Sequence, residues 1–308
     1  MKSQTAIVTY MSGEKSQING KVHVPVLLGE VLQMLDPKQG EFFIDATFGA
    51  GGHSEKILER IGNTGKLMIV DWDWHALQYA SAGSNVISVN NNFALLPNVI
   101  RSLSLPQADG LLLDLGLSSE QLEVSRRGFS FQRAEPLFMT YDPAASPVGE
   151  LLQSMSEREL AAAIRELSGE RYASVIAKTI KDRLENQLIE TSFELAEIIR
   201  RAVGKGYEKG RIDPATRTFM ALRMLANKEL ENLEKLLTGI PKILKPGGRV
   251  AIISFHSLED RLVKQYFRDY ANSGILELIN KKPIVASREE IRKNPRARSA
   301  KLRGAIRT

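Results

Sequence analysis

Asp45, Asp71 and Asp114 each end an apolar run, and the first leads into Ala46-Thr47-Phe48-Gly49-Ala50-Gly51-Gly52-His53-Ser54. Glycines permit a tight turn and close approach of a ligand to the backbone. A helix opening near Ser54 would offer N–H groups at its start, which suits a nucleotide-like ligand. The spacing is not that of the dinucleotide fingerprint, because Ser54 stands where a third glycine is required. Asp71, closing the second strand, can accept hydrogen bonds from two ribose hydroxyls; its other reading is as the cap of a helix beginning near Trp74. Asp114 is likewise either a polar group presented at a strand end or a loop cap. The chain has no cysteine and four histidines without H-x-x-x-H spacing, so no metal site is expected.

These residues need a scaffold, and the chain supplies alternating elements. Strands are expected at 41–46, 66–71, 86–90 and 109–114, with helical stretches at 54–61, 75–81 and 93–103 between them. That alternation implies an α/β fold with a parallel sheet, whose ligands sit at the carboxyl ends of the strands. The runs Leu111-Leu112-Leu113 and Val250-Ala251-Ile252-Ile253 suit central strands covered on both faces.

After Asp114 about 100 residues carry helical signals and no strand, which reads as an inserted all-helical domain over 119–213. The parent domain would then be discontinuous, 20–118 and 214–308, with 1–19 a flexible N-terminus. Ser156-Glu157-Arg158-Glu159 and Thr191-Ser192-Phe193-Glu194 are capping boxes opening helices over 156–167 and 192–203, with a third segment at 169–186. Asp213-Pro214 starts a long helix, about 214–238, that returns the chain to the sheet. The insertion is expected to be a lid shaping substrate access; packing or a homodimer is its other use.

Composition is that of an ordinary globular protein, 43% hydrophobic and 25% charged. No apolar run reaches the roughly 20 residues that span a bilayer, and no signal peptide is apparent, so no membrane partner and a cytoplasmic location are expected. Net charge is +6, with basic residues concentrated from Lys281 to Arg307. A polyanionic partner is one reading of that segment and a solvated basic tail the other.

Leu244-Lys245-Pro246-Gly247-Gly248, ahead of a late strand, resembles the turn before the fifth strand of class I S-adenosylmethionine-dependent methyltransferases, whose Rossmann-like sheet the order of Asp45, the glycines, Asp71 and Asp114 also fits. Methyl transfer from a sulfonium depends on in-line positioning, because the cofactor supplies the reactivity. An exocyclic base amine has its lone pair delocalised into the ring, so an acceptor such as a carboxylate must bond its hydrogens to let it pyramidalise. The usual amino-methyltransferase signature, a polar residue followed by Pro-Pro and an aromatic, is absent after the fourth strand.

That position instead reads Asp114-Leu115-Gly116-Leu117-Ser118-Ser119-Glu120-Gln121-Leu122. Together with Arg127-Gly128-Phe129-Ser130-Phe131, Ala215-Thr216-Arg217-Thr218-Phe219, Ser254-Phe255-His256-Ser257-Leu258-Glu259-Asp260-Arg261 and Asn294-Pro295-Arg296-Ala297-Arg298-Ser299, it strongly resembles the bacterial 16S ribosomal RNA cytosine-N4 methyltransferase family, RsmH or MraW, from about His23 to Arg303. The resemblance implies methylation of the N4 amine of one cytidine in the decoding centre of the small subunit, with S-adenosyl-L-methionine as donor and 16S rRNA, in the subunit or a late precursor, as partner. It also implies that Gly51, Gly52 and His53 bind the methionine end of the cofactor, Asp71 its ribose and Phe93 its adenine region, with Asp114 and Gln121 completing the pocket. By its own pattern Phe93, beside Leu95 and Leu96, also suits core packing.

Asp114 and His256 are the catalytic candidates. His256 either contacts the phosphate or base of the RNA or caps a helix over 258–268. Arg217 either reaches a phosphate or forms a helix-surface salt bridge, while Arg296 and Arg298 belong to the basic segment that would grip RNA. One departure stands out: an acid and an arginine of the family pattern are replaced by Phe138 and Thr140. Trp72 and Trp74 depart from it as well, and packing or stacking on adenine would account for them. The alternative is therefore a diverged paralogue that binds cofactor and rRNA with little catalysis, acting in ribosome assembly. An enzyme acting on DNA or a protein amine fits the matching motifs less well.

Overall fold

In the computed structural model, residues 25–78, 80, 83–118, 121–122 and 125–308 are described; the expected flexible segment 1–19 lies outside them. The four residues of β1 (Phe42–Asp45) are buried at every position. It pairs in parallel with β2 (Lys66–Asp71) on one side and β4 (Ala108–Asp114) on the other. Their apolar side chains cover both faces, as a central parallel sheet requires. Ile44, Met68, Val70, Leu111 and Leu113 pack with Leu233, Leu236, Leu237 and Ile240 of α10 (Glu229–Ile243). Phe43, Leu67, Ile69 and Leu112 face α1 (Leu28–Leu35) and α2 (Gly52–Ile61).

β3 (Val86–Asn90) joins β2 in parallel, and β5 (Leu244–Ser254) joins β4. Beyond β5 runs β8 (Lys301–Arg307), antiparallel to it, followed by β6 (Leu276–Leu278); β7 (Ile284–Val285) also pairs with β8. The strand order β3-β2-β1-β4-β5-β8-β6, with a reversed strand beside β5, is that of class I S-adenosylmethionine-dependent methyltransferases.

The last strand corrects the reading of the C-terminal segment as a basic tail. Lys301, Arg303 and Arg307 lie in the sheet, where Arg303 Nε donates to Asp260 Oδ1 at 2.7 Å and Lys301 Nζ to Asp260 Oδ2 at 3.1 Å. Gly304 passes so close to Met34 that a β-carbon would collide with its side chain. Charge density hid a strand in which Lys301 and Arg303 share one acid, Asp260, and Arg307 donates to the Leu244 carbonyl.

Other elements are shorter than expected. The helix after β2 is only α3 (Trp74–Leu77), capped by Asp73 Oδ1, which accepts from His75 N–H at 3.2 Å. Phe93 begins a 3-10 turn, Phe93–Leu95, before α4 (Leu96–Ser102). The long helix expected at 214–238 is two, α9 (Ala215–Ala226) and α10. The break falls at Asn227-Lys228, where Lys228 has φ 50° and Asn227 Nδ2 donates to Met139 O at 2.7 Å.

Contacts among the described residues divide the chain into two compact units, one within 25–118 and 230–308 and the other within 121–229, so α9 belongs with the helical unit and the second boundary lies later than 213/214. That unit holds α5 (Val148–Ser154), α6 (Glu157–Ser168), α7 (Ala173–Asn186), α8 (Ser192–Val203) and α9. Ser156 and Glu159 close a reciprocal capping box on α6. Thr191 caps α8, but Glu194 turns its carboxylate to Arg183, at 2.6 Å, and to Glu190 N–H, at 3.1 Å. Among the described residues no helix is long and apolar enough to cross a membrane.

Candidate cofactor and active site

Register brings the three aspartates together. Asp45 lies opposite Ile69 of β2 and Leu112 of β4, so Asp71 and Asp114 each project two residues beyond it on neighbouring strands. Asp45 is buried; its Oδ2 accepts from Ser54 Oγ–H at 2.7 Å and its Oδ1 from Thr47 N–H at 3.2 Å. Burial pushes this carboxyl up to about 6, with both donors opposing the rise. Ser54, standing in place of a third glycine, therefore ties the start of α2 to the end of β1.

Asp71 is not the helix cap, since Asp73 performs that role. Its Oδ2 accepts from Gly49 N–H at 2.9 Å and its Oδ1 from Asp73 N–H at 2.8 Å. Each oxygen has lone-pair capacity left for a hydroxyl, the arrangement a ribose diol requires. Burial raises the carboxyl to about 7, partly offset by those N–H groups. Gly49 reaches this position at φ 54° and Gly51 starts α2 at φ 78°, both in the region that favours glycine. A β-carbon on Gly51 would lie 2.7 Å from the Phe48 ring, and no side chain caps α2.

His53, buried in the first turn of α2, places Nε2 3.0 Å from Val26 O and Nδ1 3.6 Å from Asp114 Oδ2. The carbonyl accepts, so the proton is assigned to Nε2 and Nδ1 faces the carboxyl. Asp114 is fixed by its own N–H, which donates to Thr47 Oγ1 at 2.6 Å. Its side chain is 23% exposed, while its Oδ1 is buried and has no hydrogen-bond partner among the described residues. Burial first, then the charges of Asp45 and Glu259, push Asp114 up to about 8.

The remaining sequence candidates are distributed as follows. Gly52 is the first residue of α2, and Phe93 packs partly buried against the core after β3. Trp74 is largely exposed, its ring 4.0 Å from that of His75. His256 is the N-cap of α11 (Ser257–Asn272): Glu259 N–H donates to its Nδ1 at 3.4 Å, and Glu259 Oε2 accepts from Phe255 N–H at 2.9 Å and His256 N–H at 3.4 Å. The capping reading of His256 is thus the one its contacts support. Arg298 is exposed and Arg296 partly so, both on the 3-10 turn Pro295–Ser299.

Gln121 and Arg217 belong to the helical unit. Gln121 is buried, its carbonyl accepting from Ser125 Oγ at 2.7 Å. Arg217 forms the salt bridge: its Nη1 lies 2.8 Å from Glu208 Oε1, 3.3 Å from Tyr207 Oη and 3.8 Å from buried Glu170. Phe138 is 45% exposed, whereas Thr140 is buried. Two roles were not read from the sequence, that of Asp45 as the anchor of α2 and that of Glu259 as a buried acid near Asp114. Ser54 and the His256-x-x-Glu259 spacing were their signals.

Three carboxyls at the ends of neighbouring strands, a glycine turn too tight for a β-carbon, and an acid oxygen without a partner among the described residues suit a cofactor that is a ribonucleoside and carries positive charge. The profile of the MraW methylase family matches residues 20–308. A protein from Syntrophotalea carbinolica called "Ribosomal RNA small subunit methyltransferase H" is 44% identical, over 91% of this chain and 96% of its own. Proteins of the same description from Carboxydothermus hydrogenoformans, 43% identical over 92% and 97%, and Geotalea daltonii, 42% over 91% and 97%, are similarly close. The chain belongs to the MraW methylase family, and S-adenosyl-L-methionine is its cofactor.

Proposed function

We propose that this protein methylates small-subunit ribosomal RNA, at the N4 exocyclic amine of a cytidine in the 16S decoding centre, within the subunit or a late precursor. The observation that carries the chemistry is Asp114 Oδ1, a buried acceptor without a donor at the end of β4. Leaving such a group unpaired costs about 1–3 kcal/mol, which a substrate N–H would relieve. The relatives' description, small-subunit rRNA methyltransferase, supports the choice of RNA. A cytosine reaches a strand-end cleft only when unstacked, so recognition would act on a single-stranded or flipped base.

In this reading Asp71 and Gly49 hold the ribose, Gly51, Gly52 and His53 the methionine end, and Phe93 lines the adenine region. The bound cofactor supplies an electrophilic methyl group on a cationic sulfur. Asp114 accepts a hydrogen bond from the amine and frees its lone pair for in-line attack. The helical unit and exposed Arg298 would grip the RNA, as would Arg296 and, if it exchanges Glu208 for a phosphate, Arg217.

Incubation of small subunits lacking the modification with labelled cofactor, followed by nucleoside mass spectrometry, tests the proposal. N4-methylcytidine is expected; its absence with cofactor binding intact would overturn the reading in favour of a binding factor. The departures at Phe138 and Thr140 leave Asp45, Asp71 and Asp114 in place, which favours the enzyme. Since Thr140 is buried, its carbonyl accepting from Arg127 Nη1 at 3.3 Å, Phe138→Asp with Thr140→Arg is expected to raise turnover less than about threefold, under 1 kcal/mol of barrier. Steady-state kinetics checks this, and a large rise would mark the natural chain as impaired.

A further inference from the structure

The carboxyls at these strand ends repel one another, and Asp114 is the member with least to stabilise its charge. Its Oδ1 has no donor, whereas Asp45 and Asp71 each accept two hydrogen bonds. The titratable groups of its unit that face it are Asp45 from β1, Glu259 from α11 and His53 from α2. Two are acids, and the third presents Nδ1 at 3.6 Å. Like charges this close ionise together only if a cation joins them.

We propose that Asp114 carries a proton in the cofactor-free protein and surrenders it when S-adenosylmethionine binds, so that the acceptor for the amine's proton is created by the cofactor's arrival, with His53 as its positioning residue. This rests on the reading of Asp114 as the group that meets the amine. The raised carboxyl described above is consistent with a proton at neutral pH, and the cationic sulfur supplies the charge that displaces it.

The step balances. The amine nitrogen's lone pair forms the new bond to the methyl carbon, and the bond to sulfur breaks with its pair left on sulfur. The amine proton passes to the Asp114 carboxylate, leaving its N–H pair on nitrogen. Positive charge is lost from sulfur as negative charge is lost from Asp114, so the cleft ends with the protonated acid beside a neutral thioether. S-adenosylhomocysteine, lacking the sulfonium, therefore binds without displacing the proton. His53, held by Val26 O, faces Asp114 Oδ2 with the Nδ1 lone pair at 3.6 Å, which disfavours negative charge on the carboxyl until a cation arrives and fixes the way it turns.

Calorimetry of the full chain near pH 7, in buffers of different ionisation enthalpy, counts the protons released on binding each cofactor form. The expected result is up to about one proton more for S-adenosylmethionine than for S-adenosylhomocysteine, with the difference lost in Asp114→Asn. Retained S-adenosylhomocysteine binding certifies the fold of the variant. Nitrogen NMR of labelled histidines gives a second readout that needs no variant: His53 Nδ1 is expected to shift on S-adenosylmethionine binding and hardly on S-adenosylhomocysteine binding. Equal proton release for the two forms, release unchanged in Asp114→Asn, or a His53 signal indifferent to the cofactor's charge would overturn the inference. None of these needs RNA. Formation of N4-methylcytidine without proton release would sink the linkage alone, and proton release without that product would sink the assigned substrate alone.

Discussion

At the scale of single residues, the site is a set of acids whose neighbours decide what each does. Asp71 spends one lone pair of each oxygen on a backbone N–H and offers the rest outward, so Asp71→Asn should weaken S-adenosylmethionine binding about 10–100-fold while leaving the fold intact. Calorimetry reads the affinity and a melting curve the fold. His256 shows how the same kind of strand-end residue can have a different task. Its ring accepts the N3 backbone N–H of α11 while Glu259 closes the box. His256→Ser preserves a cap and His256→Ala does not, so the serine variant is expected to melt within a degree or two of wild type and to keep turnover within about threefold. The alanine variant should lose about 1 kcal/mol. A serine variant that is stable yet inactive would restore His256 to the chemistry.

At the scale of elements, the basic C-terminal segment serves two purposes that its charge alone cannot separate. Arg303, 8% exposed in β8, holds Asp260 of α11 together with Lys301. Burial alone would raise Asp260, but the hydrogen bonds from Arg303 and Lys301 outweigh it and keep the carboxyl below its usual range. Its contribution to stability is thus present at neutral pH and lost as pH falls below about 4. Breaking a buried pair strands its partner, so Arg303→Ala should destabilise by about 3 kcal/mol in chemical denaturation. Arg298→Ala, on the exposed turn, should leave stability unchanged and weaken rRNA binding, reducing the salt dependence by about one phosphate contact. If both variants behaved alike, the division between strand and binding surface would be wrong.

At the scale of the whole molecule, the three acids at the strand ends oppose stability. Asp45, Asp71 and Asp114 are raised from 3.8 to about 6, 7 and 8, so the folded chain binds protons that the unfolded chain has already released. The sign follows: these groups lower stability progressively as pH rises from about 4 to about 8, and change little beyond it. Between pH 6 and 8.5 the cofactor-free protein is expected to lose several degrees of melting temperature, Asp114→Asn to lose less, and added S-adenosylmethionine to close most of the gap. Differential scanning fluorimetry at the two pH values checks all three, and a wild type no more pH-sensitive than Asp114→Asn would contradict the buried-acid account.

Local pattern was enough to place β1 to β4, the glycine turn and the caps at Ser156 and Thr191, because strand periodicity, positive-φ glycines and capping boxes are decided within a few residues. The motifs likewise carried the family, since Asp45, Asp71 and Asp114 appear in the order in which the sheet uses them. What tertiary structure alone decided was partnership. Asp73 rather than Asp71 caps α3, while Asp71 accepts, among the described residues, only the backbone N–H groups of Gly49, from a different turn, and Asp73. Arg303 is a strand residue because Asp260 lies beside it, and the break at Asn227 exists because a loop 88 residues away needs its amide. The Asp114 carboxyl is pushed up by burial first and then by Asp45 and Glu259, distant in the chain, and such long-range effects leave no local trace in the order of residues.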